Sequence, residues 1–295
     1  MAATTAIASC APGTTALAGQ VLKLDGWPLE NTTLEMEGRR VHTDSTGRFL
    51  LQGIMPGHHV LWIDGTTANN DNATYGLYEV GATVLPNKTN VLNYTIWMTR
   101  LDTAHAVRIP SPTHAELVIT NPLLPGLELH LPPNTVITDR SGKAVRQISI
   151  TPIPIDKPPF PLPAGVQVPI YFTVQPGGAY IRVANSAAGA RLVYPNGFKF
   201  SPGTRFDFWN YDADARGWYI YGNGTVSPDA RSVVPDPGVF IYELTGAMVG
   251  VNASASGIGS YAGGFEPKSD PVDIATGQFV SIKEFNRRRG MNSTA

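Results

Sequence analysis

The chain has 295 residues, enough for about two domains, and carries only 15% charged residues with a net charge of −1. That balance excludes an ordinary nucleic-acid binder, which shows a basic excess, and a coiled coil, which is built largely from Ala, Glu, Lys, Leu and Arg. Hydrophobic residues at 42% exclude a fully disordered chain, and a single cysteine excludes a disulfide framework within it.

Residues 1–16 are Ala/Thr-rich and are expected to form a disordered leader. Within it Ile7-Ala8-Ser9-Cys10 has the order of a lipoprotein cleavage box, which makes Cys10 a candidate lipidation site. The alternative is a polar leader with an incidental thiol, since the charged and apolar segments of a signal sequence do not precede it. A β pattern begins at Leu17. Gln20 to Leu24 alternates before the Asp25-Gly26 turn, and short strands are expected at 31–36, 39–43, 48–51 and 58–65. Asp44-Ser45-Thr46-Gly47 has Asp first and Gly last, as a type I turn prefers. Strands over 75–84 and 89–98 close the unit, which reads as a small sandwich over 17–100. A polar, proline-containing link over 101–116 follows.

A second unit is expected over 117–251. Twelve prolines between Pro122 and Pro176 leave no room for a helix of normal length. The gaps read as strands at 116–120, 127–131, 144–150 and 167–174, then 190–194, 204–212, 217–221 and 239–244. Asp139-Arg140-Ser141-Gly142 is a tight turn. Residues 252–269 read as a Gly/Ser linker. The fold class expected is all-β, two tandem β-sandwiches with a flexible C-terminal tail. No run reaches the about 18 apolar residues of a spanning helix, so no transmembrane segment is expected.

The first unit resembles a known family at specific residues. Gly19-Gln20-Val21, Gly26-Trp27-Pro28-Leu29, Thr43 through Phe49, and Ile54 through His59 are similar to the carboxypeptidase regulatory-like domain, a transthyretin-like sandwich. The resemblance implies a stabilising or spacing module without peptidase residues. In the second unit, Leu127 through Pro132, Ile148 through Pro154 and Tyr171 through Gly178 loosely resemble the sandwich of ankyrins and netrin receptors. The unit looks more like the N-terminal region of bacterial Rhs/YD-repeat proteins, through Trp218 to Gly222, Val233 to Val239 and Leu244 to Met248. Asp270-Pro271-Val272-Asp273-Ile274-Ala275-Thr276-Gly277 is similar to the motif that opens the Rhs shell. After Gln278-Phe279-Val280 the sequence departs from the family and carries no YD-type repeats, so a truncated or frameshifted product, or a fragment, is expected.

Candidate chemistry is sparse. There is no Gly-x-Ser-x-Gly elbow, and the six histidines lack the spacing of a zinc site. Asp212 and Asp214, followed by Gly217, form the best metal candidate, because oxygen-rich calcium loops place carboxylates at i and i+2. The competing reading is a solvated turn in which Arg216 pairs with either carboxylate, and no metal or other cofactor is expected. Nine aromatics crowd residues 198–221. Alternation puts Phe206 and Phe208 on one strand face and Trp209 and Tyr211 on the other. One face must be core; an exposed patch around Trp209 and Trp218 would stack on sugar rings. Seven Asn-x-Ser/Thr sequons, among them Asn31, Asn87 and Asn223, suit either glycosylation or Asn/Thr-rich turns. The basic run Arg287-Arg288-Arg289 is read as a solvated tail.

The expected function is a non-enzymatic structural module at the cell surface or in secretion. It would be the N-terminal spacer or cap of an Rhs/YD-repeat protein. In that family a hollow shell encloses a C-terminal toxin, and in the related teneurins a comparable region plugs the shell. The expected partner is the protein's own or a neighbouring β-shell. The alternative is an adhesin that binds a cell-surface glycan or protein. Nucleic acid is not an expected partner.

Overall fold

A computed structural model describes residues 11, 13–162, 168, 170–197, 199–215, 217–244 and 248–252, the last five by backbone alone. The fold is all-β. Its strands are β1 (Ala16–Lys23), β2 (Thr33–Met36), β3 (Arg39–His42), β4 (Arg48–Gln52), β5 (Gly57–Asp64), β6 (Leu77–Val84), β7 (Thr89–Val91) and β8 (Ile96–Met98) in the first unit. A 3-10 turn, Gly65–Ala68, follows β5. The second unit contains β9 (Val107–Arg108), β10 (Leu117–Thr120), β11 (Glu128–Leu131), β12 (Thr135–Thr138), β13 (Gln147–Pro152), β14 (Tyr171–Gln175) and β15 (Ala179–Val183). It continues with β16 (Arg191–Pro195), β17 (Arg205–Asp212), β18 (Gly217–Val226), β19 (Ser232–Pro235), β20 (Glu243–Leu244) and β21 (Met248–Asn252). Among the described residues no helix is long and apolar enough to cross a membrane.

The first unit is a sandwich of two small sheets. One runs β4-β1-β7, with β8 joining β1 further along; the other runs β3-β2-β5-β6. Both β7 and β8 pair with β1 in parallel, while β4 pairs antiparallel on its other side. Leu34, Met36, Leu61, Ile63, Val80 and Ile96 fill the space between the sheets, all buried.

The turn at 44–47 shows how the sequence sets this geometry. Asp44 Oδ1 accepts from the Thr46 N–H (2.8 Å), the Thr46 hydroxyl (2.7 Å) and the Arg48 N–H (3.0 Å). Gly47 sits at φ +72°, in the left-handed region where only Gly is unstrained. A side chain there would also collide with the Val21 carbonyl oxygen.

In the second unit a ten-stranded sheet, β10-β11-β16-β19-β18-β17-β21-β14-β13-β9, and a three-stranded sheet, β12-β15-β20, share one core. Leu129, Ile150, Phe172, Val174, Phe208 and Ile181 are among its fully or almost fully buried members. The stretch read as a link contributes β9, which pairs with β13. Sequence reading found no strand at β12, β15, β19 or β21, each only four or five residues long.

The two units meet through a continuous apolar core. The cluster that fills the first sandwich also contains Ile153, Phe160, Tyr171, Tyr211, Ala213 and Trp218 from the second. Consequently β14 is buried at all five positions. Phe172 and Val174 face the second unit's own core, while Tyr171 packs into the first. The segment after β13 fills the seam: Phe160 is fully buried, with ring centroids 4.6 Å from Tyr211 and 5.9 Å from Trp218. Proline suits such a seam because it brings no N–H that must find a partner.

Candidate functional site

Among the described residues, the junction of the two units gathers several side chains with unusual surroundings. It begins with β6, which ends its sheet and leaves outward backbone groups without a neighbouring strand. Side chains of the second unit take that place. Gln175 Oε1 accepts from the Leu77 N–H at 2.9 Å, and Gln175 Nε2 donates to the Leu77 carbonyl at 2.9 Å. The Tyr211 hydroxyl accepts from the Gly81 N–H at 3.2 Å. Across the same seam His58 Nε2 lies 3.0 Å from the Ala213 carbonyl, and Lys157 Nζ donates to the Leu24 carbonyl at 2.6 Å. Gly81 is required by close approach, since a Cβ there would stand 2.6 Å from the Ala213 oxygen.

Between these contacts lies Glu79 of β6, only 7% exposed. Burial, and then the neighbouring Glu243 of β20, push its carboxyl up to about 7; Arg140 opposes the shift and Asp212 adds to it. Glu243 is raised in the same direction, by burial and then by Asp212. Directly opposite Glu79 in the ladder stands Trp62, and the Arg140 guanidinium lies over its ring, 3.8 Å from the centroid. Arg140 also reaches Glu35 at 3.7 Å, where Arg40 already donates at 2.7 Å. Glu35, Arg40, His42, Trp62, Asp64 and Arg140 help line a groove of about 440 Å³ beside this cluster. The arrangement therefore offers a carboxyl that exchanges a proton near neutrality and a guanidinium laid across an indole at the boundary of two units.

The residues singled out from sequence lie around this junction or outside the description. Trp218 is 6% exposed, packs on Phe160 and Tyr211, and donates from Nε1 to the Pro161 carbonyl at 2.8 Å. It has no free face for a sugar ring, which corrects its reading as a stacking platform. Trp209 is half-buried against the same core, so the aromatic-rich pair β17–β18 spends one side on each of two cores. The pairing also shifts between Phe208 and Trp209: Phe208 opposes Gly222 and Trp209 opposes Ile220, leaving Tyr221 as the extra residue of a bulge.

Asp212 Oδ1 accepts from the Asp214 N–H (3.1 Å) and the Ala215 N–H (3.0 Å), closing the turn on itself. Among the described residues no three His, Cys, Asp or Glu side chains converge as a metal site. Two of the sequons have turn geometry behind them, since Asn31 and Asn87 adopt φ values of 65° and 58°. Cys10 and the shell-entry residues Asp270, Pro271, Val272, Asp273, Thr276 and Gly277 lie outside the described residues. Sequence reasoning missed Glu79 altogether. Its signal was the lone charged residue in the strand Leu77–Val84.

No protein-family model matches the chain, and no curated protein matches it. Among solved structures it is similar to the Bacillus anthracis TIE protein, at 12% identity over 81% of this chain with a TM-score of 0.23. The chain spans 48% of that protein's length, and a similarity of this size does not establish a shared fold.

Proposed function

We propose that this chain is a non-enzymatic structural and interaction module, the N-terminal spacer or cap of an Rhs/YD-repeat protein acting at the cell surface or after secretion. The observation that carries the reading is the octapeptide Asp270 to Gly277, similar to the Rhs shell-entry motif and preceded by two β units. Two physical features support it. A core continuous from one unit to the next keeps their spacing fixed, as a spacer requires. The ten-stranded sheet ends at β10, where Val118 is 43% exposed, so a strand edge is available to extend onto another β surface.

The test is direct. An Rhs shell expressed without its N-terminal region should bind the full chain with a Kd in the micromolar range or tighter by calorimetry. Val118→Lys, which places a charge on the open edge, should weaken that binding at least tenfold. No heat of binding at micromolar concentrations refutes the proposal.

A further inference from the structure

The groove beside the junction has a floor set by strand register. Two rows of side chains cross the β3-β2-β5-β6 sheet. Arg40, Glu35 and Trp62 stand in one, which ends at the buried Glu79; His42, Thr33 and Asp64 stand in the other, which ends at Leu77. Their neighbours along the strands, Leu34, Met36, Leu61, Ile63, Tyr78 and Val80, fill the core, so alternation turns both rows to the sheet's outer face. Arg140, from the turn after β12, closes the first row by lying over Trp62, 3.8 Å from the ring centroid. Thr67 of the 3-10 turn closes the second, with its hydroxyl 3.0 Å from that of Thr33. The polar groups are set in advance. The Thr67 hydroxyl donates to the Asn31 carbonyl at 2.7 Å and to the Asp64 carbonyl at 3.0 Å, and a carbonyl only accepts. The Thr33 hydroxyl must then donate to Thr67 and can only accept from His42 Nδ1, at 3.1 Å. That chain fixes the proton on Nδ1, so the neutral imidazole offers Nε2 as an acceptor. Glu35 meanwhile holds two guanidiniums in place, Arg40 at 2.7 Å and Arg140 at 3.7 Å.

We propose that this groove binds a neutral oligosaccharide. Its volume of about 440 Å³ falls within the range of ligand pockets, roughly 300–1,000 Å³. Among the described residues that line it, two guanidiniums, Arg40 and Arg140, stand against two carboxylates, Glu35 and Asp64. An ion of either sign therefore gains little there from charge complementarity. What the lining offers is donors and acceptors in mixture, set around an indole. A sugar suits that mixture because each of its hydroxyls both donates and accepts. Arg40 and Arg140 supply donors, and Asp64, Glu35 and His42 Nε2 supply acceptors. The guanidinium over Trp62 is restrained by the ring beneath it, so less freedom is lost when it bonds a ligand. The site lies on the first unit's sheet with one wall from the second, away from the β10 edge offered to a shell, so the two readings stand or fall separately.

Calorimetry of the full chain tests the groove. The probes are short neutral oligosaccharides of glucose, galactose, mannose or N-acetylglucosamine, with sialylated and sulfated counterparts alongside. At least one neutral probe should bind saturably, with a Kd of about 1 mM or tighter. Raising NaCl from about 0.05 to about 0.5 M should move that Kd less than about twofold, since no net charge is matched. Arg40→Ala and His42→Ala remove exposed side chains of β3 and should each weaken binding at least about fivefold with Tm unchanged. Trp27→Ala, at a turn outside the groove, should leave binding as it is. In the parent the indole N–H resonance of Trp62 should shift as the probe is added, which locates the site without any variant. No saturable binding across the neutral probes, binding confined to the acidic ones, a Kd unmoved in both β3 variants, or a Trp62 resonance that stays in place overturns the proposal.

Discussion

Gln175 does for β6 what a neighbouring strand would otherwise do, donating and accepting at the same residue, Leu77. Both groups it serves are main-chain atoms at a part-buried edge. Gln175→Ala should therefore cost about 1–3 kcal/mol, the range for a buried group left unsatisfied. Denaturant unfolding measures it: the midpoint should fall without a change in slope. Asp44 makes the opposite kind of contribution, at the surface. Burial pushes its carboxyl up slightly, but hydrogen bonds from Thr46 and Arg48 outweigh it and hold the carboxyl below 3.8. A lowered folded value gives stability that is present above the unfolded value and lost as pH falls through the folded one. Acid unfolding should accordingly lose part of its pH dependence in Asp44→Asn. An unchanged acid limb would show that the turn does not need the charge.

At the scale of elements the proline-rich segment after β13 bears most on how the units join. Phe160 is its anchor, touching both Tyr211 and Trp218. Phe160→Ala should destabilise by about 3–5 kcal/mol, the usual cost of removing a buried aromatic ring. It should also shift tryptophan emission to the red as Trp218 gains water. A shift without destabilisation would mean the ring shields Trp218 but does not hold the seam.

These elements also mark what sequence reveals. The alternation in Arg48 to Gln52 and Gly57 to Asp64 is plain, because one face of each is core and the other is wetter. The Asp44-to-Gly47 and Asp139-to-Gly142 turns are legible because Asp and Gly have few other uses at those offsets. The aromatic run 206–221 was legible as core on one face only. Its second face is buried by residues more than a hundred positions away, such as Tyr78 and Val80, and nothing local encodes that cover. The junction itself was invisible for the same reason. Gln175 carries no local mark of its role, and Glu79 only a lone charge in its strand, until the fold sets each beside the other unit and buries it.

For the whole molecule the decisive feature is that one apolar cluster belongs to both units. Chains of this length often unfold unit by unit when the contact between domains is small and polar. Here the first unit contributes a sheet whose β6 edge is completed by Gln175 and Tyr211, and whose core borrows Phe160 and Trp218. Neither unit is finished without the other. Calorimetry of the full chain should show a single transition with equal calorimetric and van't Hoff enthalpies. Residues 1–103 expressed alone should behave differently, since β6 then presents an open edge and the apolar residues beneath Phe160 face water. That fragment should melt well below the full chain and associate as its concentration rises, as sedimentation velocity would reveal. A monomeric fragment melting at the temperature of the full chain would mean that the seam is a contact of convenience. The transmission of any load from one unit to the other would then have no structural basis.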